Sequence, residues 1–135
     1  MKNKLLYKYN ENDAGVFDIS VYAEDKKVAF ITFKLKSHTA WLYKVFVNDE
    51  YRNMKIGSTL LKLFENFCIQ HFVKSVEGKY YPETEDKVVR KFYENNGYSI
   101  DKEYYETFIS KYNLKKLDVD VEVENIDEDN IRENV

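Results

Sequence analysis

The sequence predicts an α+β (mixed α/β) domain built on one mixed sheet. Two observations carry that expectation. Up to Val47 apolar residues recur at every second position, the period of half-buried strands; from Leu60 they recur at three- and four-residue steps, the period of an amphipathic helix. A third observation concerns organisation. The chain has 135 residues and no Ser-, Gly- or Pro-rich linker, so residues 1–117 read as a single domain. Residues 118–135 differ in composition. They net −7 where the whole chain nets −3, leaving +4 on the rest, and they read either as an acidic tail or as an extra strand.

Each element has its own justification. "KLLYKY" (4–9) is a short candidate strand, and "NENDAG" (10–15) has the Asn, Asp and Gly of a turn. In "VFDISVYAE" (16–24), Phe17, Ile19, Val21 and Ala23 alternate with Val16, Asp18, Ser20 and Tyr22, which predicts a strand with one buried face. "DKK" (25–27) turns the chain. "VAFITFKLK" (28–36) and "TAWLYKVFV" (39–47) are rich in β-branched and aromatic residues and read as strands joined at "SH" (37–38). These runs make an antiparallel meander of three or four strands. A helix from about Ser58 to His71 follows, with Leu60, Leu61, Phe64, Phe67 and Cys68 on its apolar stripe and Lys62, Glu65, Asn66 and Gln70 expected on the wet side. "FVKSVEGKYY" (72–81) is strand-like up to Pro82. "ETEDKVVRKFYENN" (83–96) is a second helix, with Glu83, Glu85 and Asp86 at the dipole's positive end and Gly97 as a left-handed cap. "YSI" (98–100) and "YETFISKYNL" (105–114) are two more strands.

Composition removes several function classes. Hydrophobic residues at 44% allow a real core, and a net charge of −3 is not the footprint of a nucleic-acid binder. The single cysteine, Cys68, permits no internal disulfide and suits a reducing compartment. The N-terminal apolar stretch is short for a signal peptide, and no run has the length of a membrane span, so the expectation is a cytoplasmic protein with no membrane partner. The abundance of Lys, Asn, Ile and Tyr suggests an AT-rich bacterial genome. His38 and His71 have no second ligand at metal spacing, so no metal site is expected.

The stretch "DEYRNMKIGSTLLKLFENF" (49–67) combines a strand exit, two cations and a helix start. Backbone amides at a helix N-terminus lack intrahelical partners and, with the macrodipole, attract anions. Gly57 would let a phosphate approach the backbone, Ser58 adds a hydroxyl, and Arg52 and Lys55 add charge. Taken alone, this reads either as an ordinary helix start or as a diphosphate cradle. It is neither a Walker A loop nor a dinucleotide fingerprint.

"VFVNDEYRNMKIGSTLL", followed after a strand and a second helix by "RKFYENNGY", resembles the GNAT family of N-acetyltransferases over about residues 16–114. The family's acetyl-CoA motif, [Q/R]-x-x-G-x-[G/A], is matched by Arg52-Asn53-Met54-Lys55-Ile56-Gly57, and its later "FYEKxGF" by Phe92 to Tyr98. The resemblance implies a splayed mixed sheet with two main helices and an enzyme that passes an acetyl group from acetyl-CoA directly to an amine on a small molecule or protein. It implies that the amides of residues 52–58 hold the CoA diphosphate: Arg52, Asn53, Met54, Lys55, Ile56, Gly57 and Ser58. Val45, Phe46 and Val47 would pair with the pantetheine arm as a strand edge pairs with a peptide, one N–H facing the thioester oxygen. Tyr93 would be the general acid for the departing thiolate. Such proteins occur as monomers or homodimers.

The sequence also departs from the family. Lys55 replaces the first loop glycine, which costs on the order of 1 kcal/mol if φ is positive there and nothing if it is negative. Asp86 stands where the family often has Asn, and Trp41 where some relatives carry a basic Glu. Glu77 and Tyr81 share one face of their strand, where they could orient an acceptor. Between residues 9 and 16 there is almost no room for the family's first two helices. These departures keep open an alternative: a GNAT-fold module that binds CoA or a protein without efficient catalysis.

Overall fold

The computed structural model describes residues 4–81, 86–103 and 106–125. In chain order these form β1 (Leu5–Glu11), β2 (Val16–Ala23), β3 (Lys26–Leu35), β4 (Ala40–Val47), a 3-10 turn (Asp49–Tyr51), α1 (Ile56–Gln70), β5 (Val76–Tyr80), α2 (Asp86–Asn95), β6 (Ser99–Glu103), β7 (Glu106–Lys111) and β8 (Val123–Asn125). All eight strands belong to one sheet, ordered β6-β7-β5-β4-β3-β2-β1-β8. It is mixed: β4 pairs with β5, and β1 with β8, in parallel, and the other neighbours are antiparallel. The expected fold class is the observed one.

The meander forms as its alternation predicts. β1 passes straight into β2 through a turn in which the Asn12 side chain accepts from the amides of Ala14 and Val16 (2.9 and 3.0 Å), and Gly15 takes φ +76°. No helix stands between these strands. Ile19, Val21, Ile31 and Phe33 face α1 and are fully buried against Leu60, Leu61 and Phe64. Each such side chain contributes about 1.5–3 kcal/mol by leaving water. The Phe33 and Phe64 rings meet at 4.5 Å. Across the sheet Phe33 pairs with Leu42, Leu42 with Gly78 and Gly78 with Ile109, so all lie on the face that both helices cover. Among the described residues no helix covers the opposite face. No helix of the described chain is long and apolar enough to cross a membrane.

One expectation on α1 is corrected. Glu65 is not on the wet side: it is 1% exposed. It lies four residues after Leu61 and three before Cys68, on the stripe that these two occupy. The stripe is wider than the sequence suggests because Tyr98, just before β6, and Lys111, at the end of β7, reach this side of α1. The carboxylate accepts from Tyr98 Oη at 2.9 Å and from Lys111 Nζ at 2.7 Å. Asn66 is also half-buried. Its amide pairs twice with the backbone of Leu117 (2.8 Å each), which fixes the C-terminal segment against α1. From there Val119, Val121 and Val123 turn towards the core while Asp118, Asp120, Glu122 and Glu124 face water, and Val123–Asn125 adds to the edge at β1. Pro82, Glu83, Glu85 and the acidic residues after Asn125 lie outside the described residues.

The sheet parts between β4 and β5. Their pairing is confined to Ala40–Leu42 against Val76–Gly78. The closed end is tied by Ala40 N–H to the Ser75 carbonyl (2.9 Å) and by the Thr39 hydroxyl to the same oxygen (3.1 Å). Just beyond, the register of β3 on β4 slips at Tyr43, an extra residue that bends β4 away. Gly78 sits at the point of parting, where a Cβ would lie 2.7 Å from the Leu42 carbonyl. We therefore expect Gly78→Ala to force the two strands apart at their only pairing and to destabilise the protein by roughly 2 kcal/mol, read as a lower denaturant midpoint at unchanged slope.

Candidate functional site

The parting leaves β4 with a bare edge from Tyr43 onward. Asn48 N–H donates to Val28 O (2.8 Å), so in the alternating antiparallel ladder Phe46 and Lys44 bond towards β3 while Val45 and Val47 turn their amides and carbonyls the other way. The bond from Arg52 Nε to the Val47 carbonyl (3.3 Å) agrees with that direction. The Val45 and Val47 side chains pack on the core, and Phe46 lies on the helix-free face, stacked on Phe30 at 5.5 Å.

This edge runs directly into the N-terminus of α1. The 3-10 turn and Arg52 lead there, with the Arg52 guanidinium held 3.1 Å from Asp49. Asn53 and Lys55 both take positive φ, +66° and +60°. Asn tolerates that conformation, whereas Lys is strained in it. Of the two possibilities open for Lys55, the costly one is realised. In return the chain reverses within two residues, and α1 starts at Ile56, slightly earlier than expected. Lys55 offers no side-chain cap, and the first intrahelical bond is Thr59 N–H to Lys55 O (3.0 Å). The amides of Ile56, Gly57 and Ser58 therefore have no partner within the helix and carry its positive dipole end. Met54 is exposed beside them.

Gly57 has a role that the sequence did not reveal. A Cβ there would come within 3.0 Å of the Phe92 ring and 3.6 Å of Val47. Its bareness lets α2 close onto the end of α1. Beside it, Asn96 Nδ2 donates to Ser58 Oγ (3.1 Å) and to the Phe92 carbonyl (2.8 Å). The motif "FYENNGY" thus supplies both the wedge and the clasp that join the two helices. α2 ends as predicted: Gly97 takes φ +86°, its N–H reaches Glu94 O, and Tyr98 N–H reaches Tyr93 O, each at 3.0 Å.

Tyr93 is 5% exposed and lies on the β5 side of the parting, stacked on Tyr80 at 5.6 Å and edge-on to Tyr98 at 5.7 Å. Burial, with a smaller contribution from Tyr80, pushes its phenol up to about 12. Burial and the nearby Glu65 likewise push the Cys68 thiol up to about 12, so Cys68 is a core residue and not a nucleophile. Among the described residues no group of three His, Cys, Asp or Glu side chains is placed to hold a metal.

On the helix-free face, across β4, β5, β7 and β6, lies a groove of about 310 Å³ walled by Trp41, Phe108 and Tyr112 and rimmed by Glu77, Asp101 and Glu103. Among the described residues none of these three carboxylates is in an ion pair. Lys36 lies over the Trp41 ring at 5.2 Å, on the groove's own wall, Lys34 is the cross-strand neighbour of Trp41, and Lys79 is paired with Glu106 at 3.3 Å.

A family model described as the acetyltransferase (GNAT) domain matches residues 16–100. The chain belongs to the GNAT family. It is 26% identical over 102 residues to spermidine N(1)-acetyltransferase of Thermoplasma acidophilum, covering 74% of this chain and 62% of that protein. The chain thus spans less than two thirds of that relative's length. Among solved structures, the PaiA N-acetyltransferase of Thermoplasma acidophilum in complex with coenzyme A superposes with TM-score 0.66 at 21% identity, covering 73% of this chain and 61% of that one. A GNAT-family acetyltransferase from Staphylococcus aureus Mu50 gives 0.62 at 24% identity (76% and 71% covered). An aminoglycoside 6'-N-acetyltransferase complexed with coenzyme A gives 0.61 at 16% (78% and 77%). At these identities the likeness is one of fold.

In this GNAT chain the strained loop residue is directly testable. Lys55→Gly removes the left-handed penalty of about 1–2 kcal/mol and adds back about 0.5–1 kcal/mol of unfolded-state freedom, so a net gain of about 0.5 kcal/mol is expected in chemical denaturation.

Proposed function

We propose that the chain is an acetyl-CoA-dependent N-acetyltransferase that passes an acetyl group directly to an amine. The observation that carries this reading is the continuity of the β4 edge with the uncapped start of α1. An extended, peptide-like arm can pair with the outward amides of Val45 and Val47 and the carbonyl of Val45, and a diphosphate at its far end then meets the amides of Ile56, Gly57 and Ser58. Arg52, Asn53, Met54 and Lys55 line the turn between the two, Lys55 adding charge. Phe46 contributes its backbone to the strand and its ring to the opposite face.

In this reading a β4 amide that faces the cleft stabilises the oxygen of the attacked thioester. Tyr93, held neutral, donates its proton to the sulfur as the C–S bond breaks; the amine nitrogen, arriving uncharged, bonds to the acetyl carbon and gives up a proton to water, and the Tyr93 phenolate is reprotonated from water. The sign of the pH dependence follows. The acid form is needed, and it is complete below pH 10 and lost as pH rises towards about 12. Titration of Tyr93 therefore places no alkaline limb on kcat below pH 10. Tyr93→Phe is expected to lower kcat about a hundredfold while leaving the acetyl-CoA Kd, measured by calorimetry, within about twofold. Failure of the wild-type chain to bind acetyl-CoA would overturn the reading.

The acceptor would approach from the helix-free face. The groove of Trp41, Phe108, Tyr112, Glu77, Asp101 and Glu103 is complementary to an ammonium group through its three carboxylates and the faces of Phe108 and Tyr112, the Trp41 ring being covered by Lys36. With a spermidine acetyltransferase among the relatives, a polycationic amine is the favoured acceptor over an uncharged or acidic one. Glu77→Gln combined with Asp101→Asn should raise KM for spermidine roughly tenfold, about 1.4 kcal/mol of lost attraction, without moving the acetyl-CoA Kd. A second reading, CoA binding without efficient turnover, draws on the strained Lys55, on Trp41 where a basic carboxylate could stand, and on the direct β1–β2 turn. Binding of acetyl-CoA with no acetyl transfer to polyamines, aminoglycosides or peptide amines would favour it.

A further inference from the structure

One buried charged cluster has no part in the chemistry above. Glu65 is 1% exposed in the middle of α1 and is paired with Lys111 Nζ at 2.7 Å. Lys111, the last residue of β7, also donates to the carbonyl of Asn96 at 2.9 Å, and its stem lies against Gly97, where a Cβ would meet it at 3.2 Å. Asn96 is the residue that caps α2 and clasps Ser58 at the start of α1 (3.1 Å). Tyr98, the next residue but one, donates to the second Glu65 oxygen at 2.9 Å and returns its amide to the carbonyl of Tyr93. A closed circuit therefore runs from mid-α1 through Lys111 to the end of α2 and back to the first turn of α1.

Removing two charges from water is costly, and an apolar pair of the same volume would usually hold these elements together as well or better. What an apolar pair lacks is direction. Lys111 bonds a carboxylate on one helix and a carbonyl at the end of the other, so it sets the axial position of α2 on α1. We infer that Lys111 and Glu65 are positioning residues. They hold the helix that carries Tyr93 in register with the anion-binding end of α1, so that the phenol and the diphosphate site keep one fixed separation. This rests on the acyltransfer reading for its consequence, though not for its geometry. Neither residue touches the proposed substrates. The anion site itself belongs to α1, which packs on β3 and β4 independently of the circuit.

The test uses the full chain with Lys111→Met and with the double change Glu65→Leu and Lys111→Met. The double variant leaves no unpaired buried charge, and a third variant that adds Tyr98→Phe to it also removes the buried hydroxyl whose acceptor was Glu65. At temperatures where circular dichroism reports a folded protein, all three variants should bind acetyl-CoA with a Kd within about threefold of wild type and lose roughly ten- to a hundredfold in kcat. In hydrogen exchange the amides of Val89–Tyr98 should open at least about tenfold faster, while those of Leu60–Phe67 stay within about threefold in the double variant. A folded double variant with wild-type kcat and wild-type exchange in α2 would overturn the inference. So would equal loosening of both helices, which is the signature of a purely structural pair. If wild type transfers no acetyl group, the transferase reading fails separately, and the exchange pattern still decides whether the circuit sets the register of α2.

Discussion

The structure depends on a sheet that is paired at one end and open at the other. Gly78 allows β5 to approach the Leu42 carbonyl more closely than any side chain would permit, and the hydrogen bonds of Ser75 lock that end. One residue later the extra Tyr43 turns β4 outward. A continuous parallel pair would satisfy every backbone group and leave nothing for a ligand. The parted pair leaves the Val45 and Val47 backbone aimed into a cleft, an arrangement that is stable in water and more favourable still when an extended ligand supplies the missing strand.

The second constraint is that the cleft ends at a helix start. β4 could not deliver its edge to the amides of α1 without a sharp reversal, and that reversal places Asn53 and Lys55 at positive φ. Strain of this kind persists only where the surroundings over-determine it. Here the surroundings are Gly57, pressed by the Phe92 ring, and Ser58, clasped by Asn96. The two helices and the loop are thus one packed unit. The residue that suits a catalytic acid, Tyr93, belongs to the same turn of α2 as the wedge that holds this unit closed.

The other face of the sheet follows from what β1 and β2 lack. Their four-residue turn, organised by Asn12, leaves no chain to lay a helix over Trp41, Phe108 and Tyr112. Among the described residues no helix covers those aromatic walls and the acids beside them. A surface of that composition suits a cation better than an apolar partner.

The elements and the motifs were legible in the sequence because both are local. Period-two alternation marked β2, β3 and β4, three- and four-residue spacing marked α1, and Gly97 marked the end of α2, all from neighbours within a few positions. Resemblance over "RNMKIG" and "FYENNGY" pointed to the loop and to Tyr93. Four features were decided only by tertiary contacts. Glu65 reads as a surface residue until Tyr98 and Lys111, distant in sequence, arrive beside it. Gly57 reads as room for a phosphate until Phe92 occupies its empty side. Lys55 could have taken either sign of φ, and the direction of α1 relative to β4 chose the strained one. The point at which β4 leaves β5 depends on a bulge and a glycine in different strands, which meet only when the sheet assembles. Sequence periodicity determines which side of an element avoids water; only the assembled sheet and helices determine what that side touches.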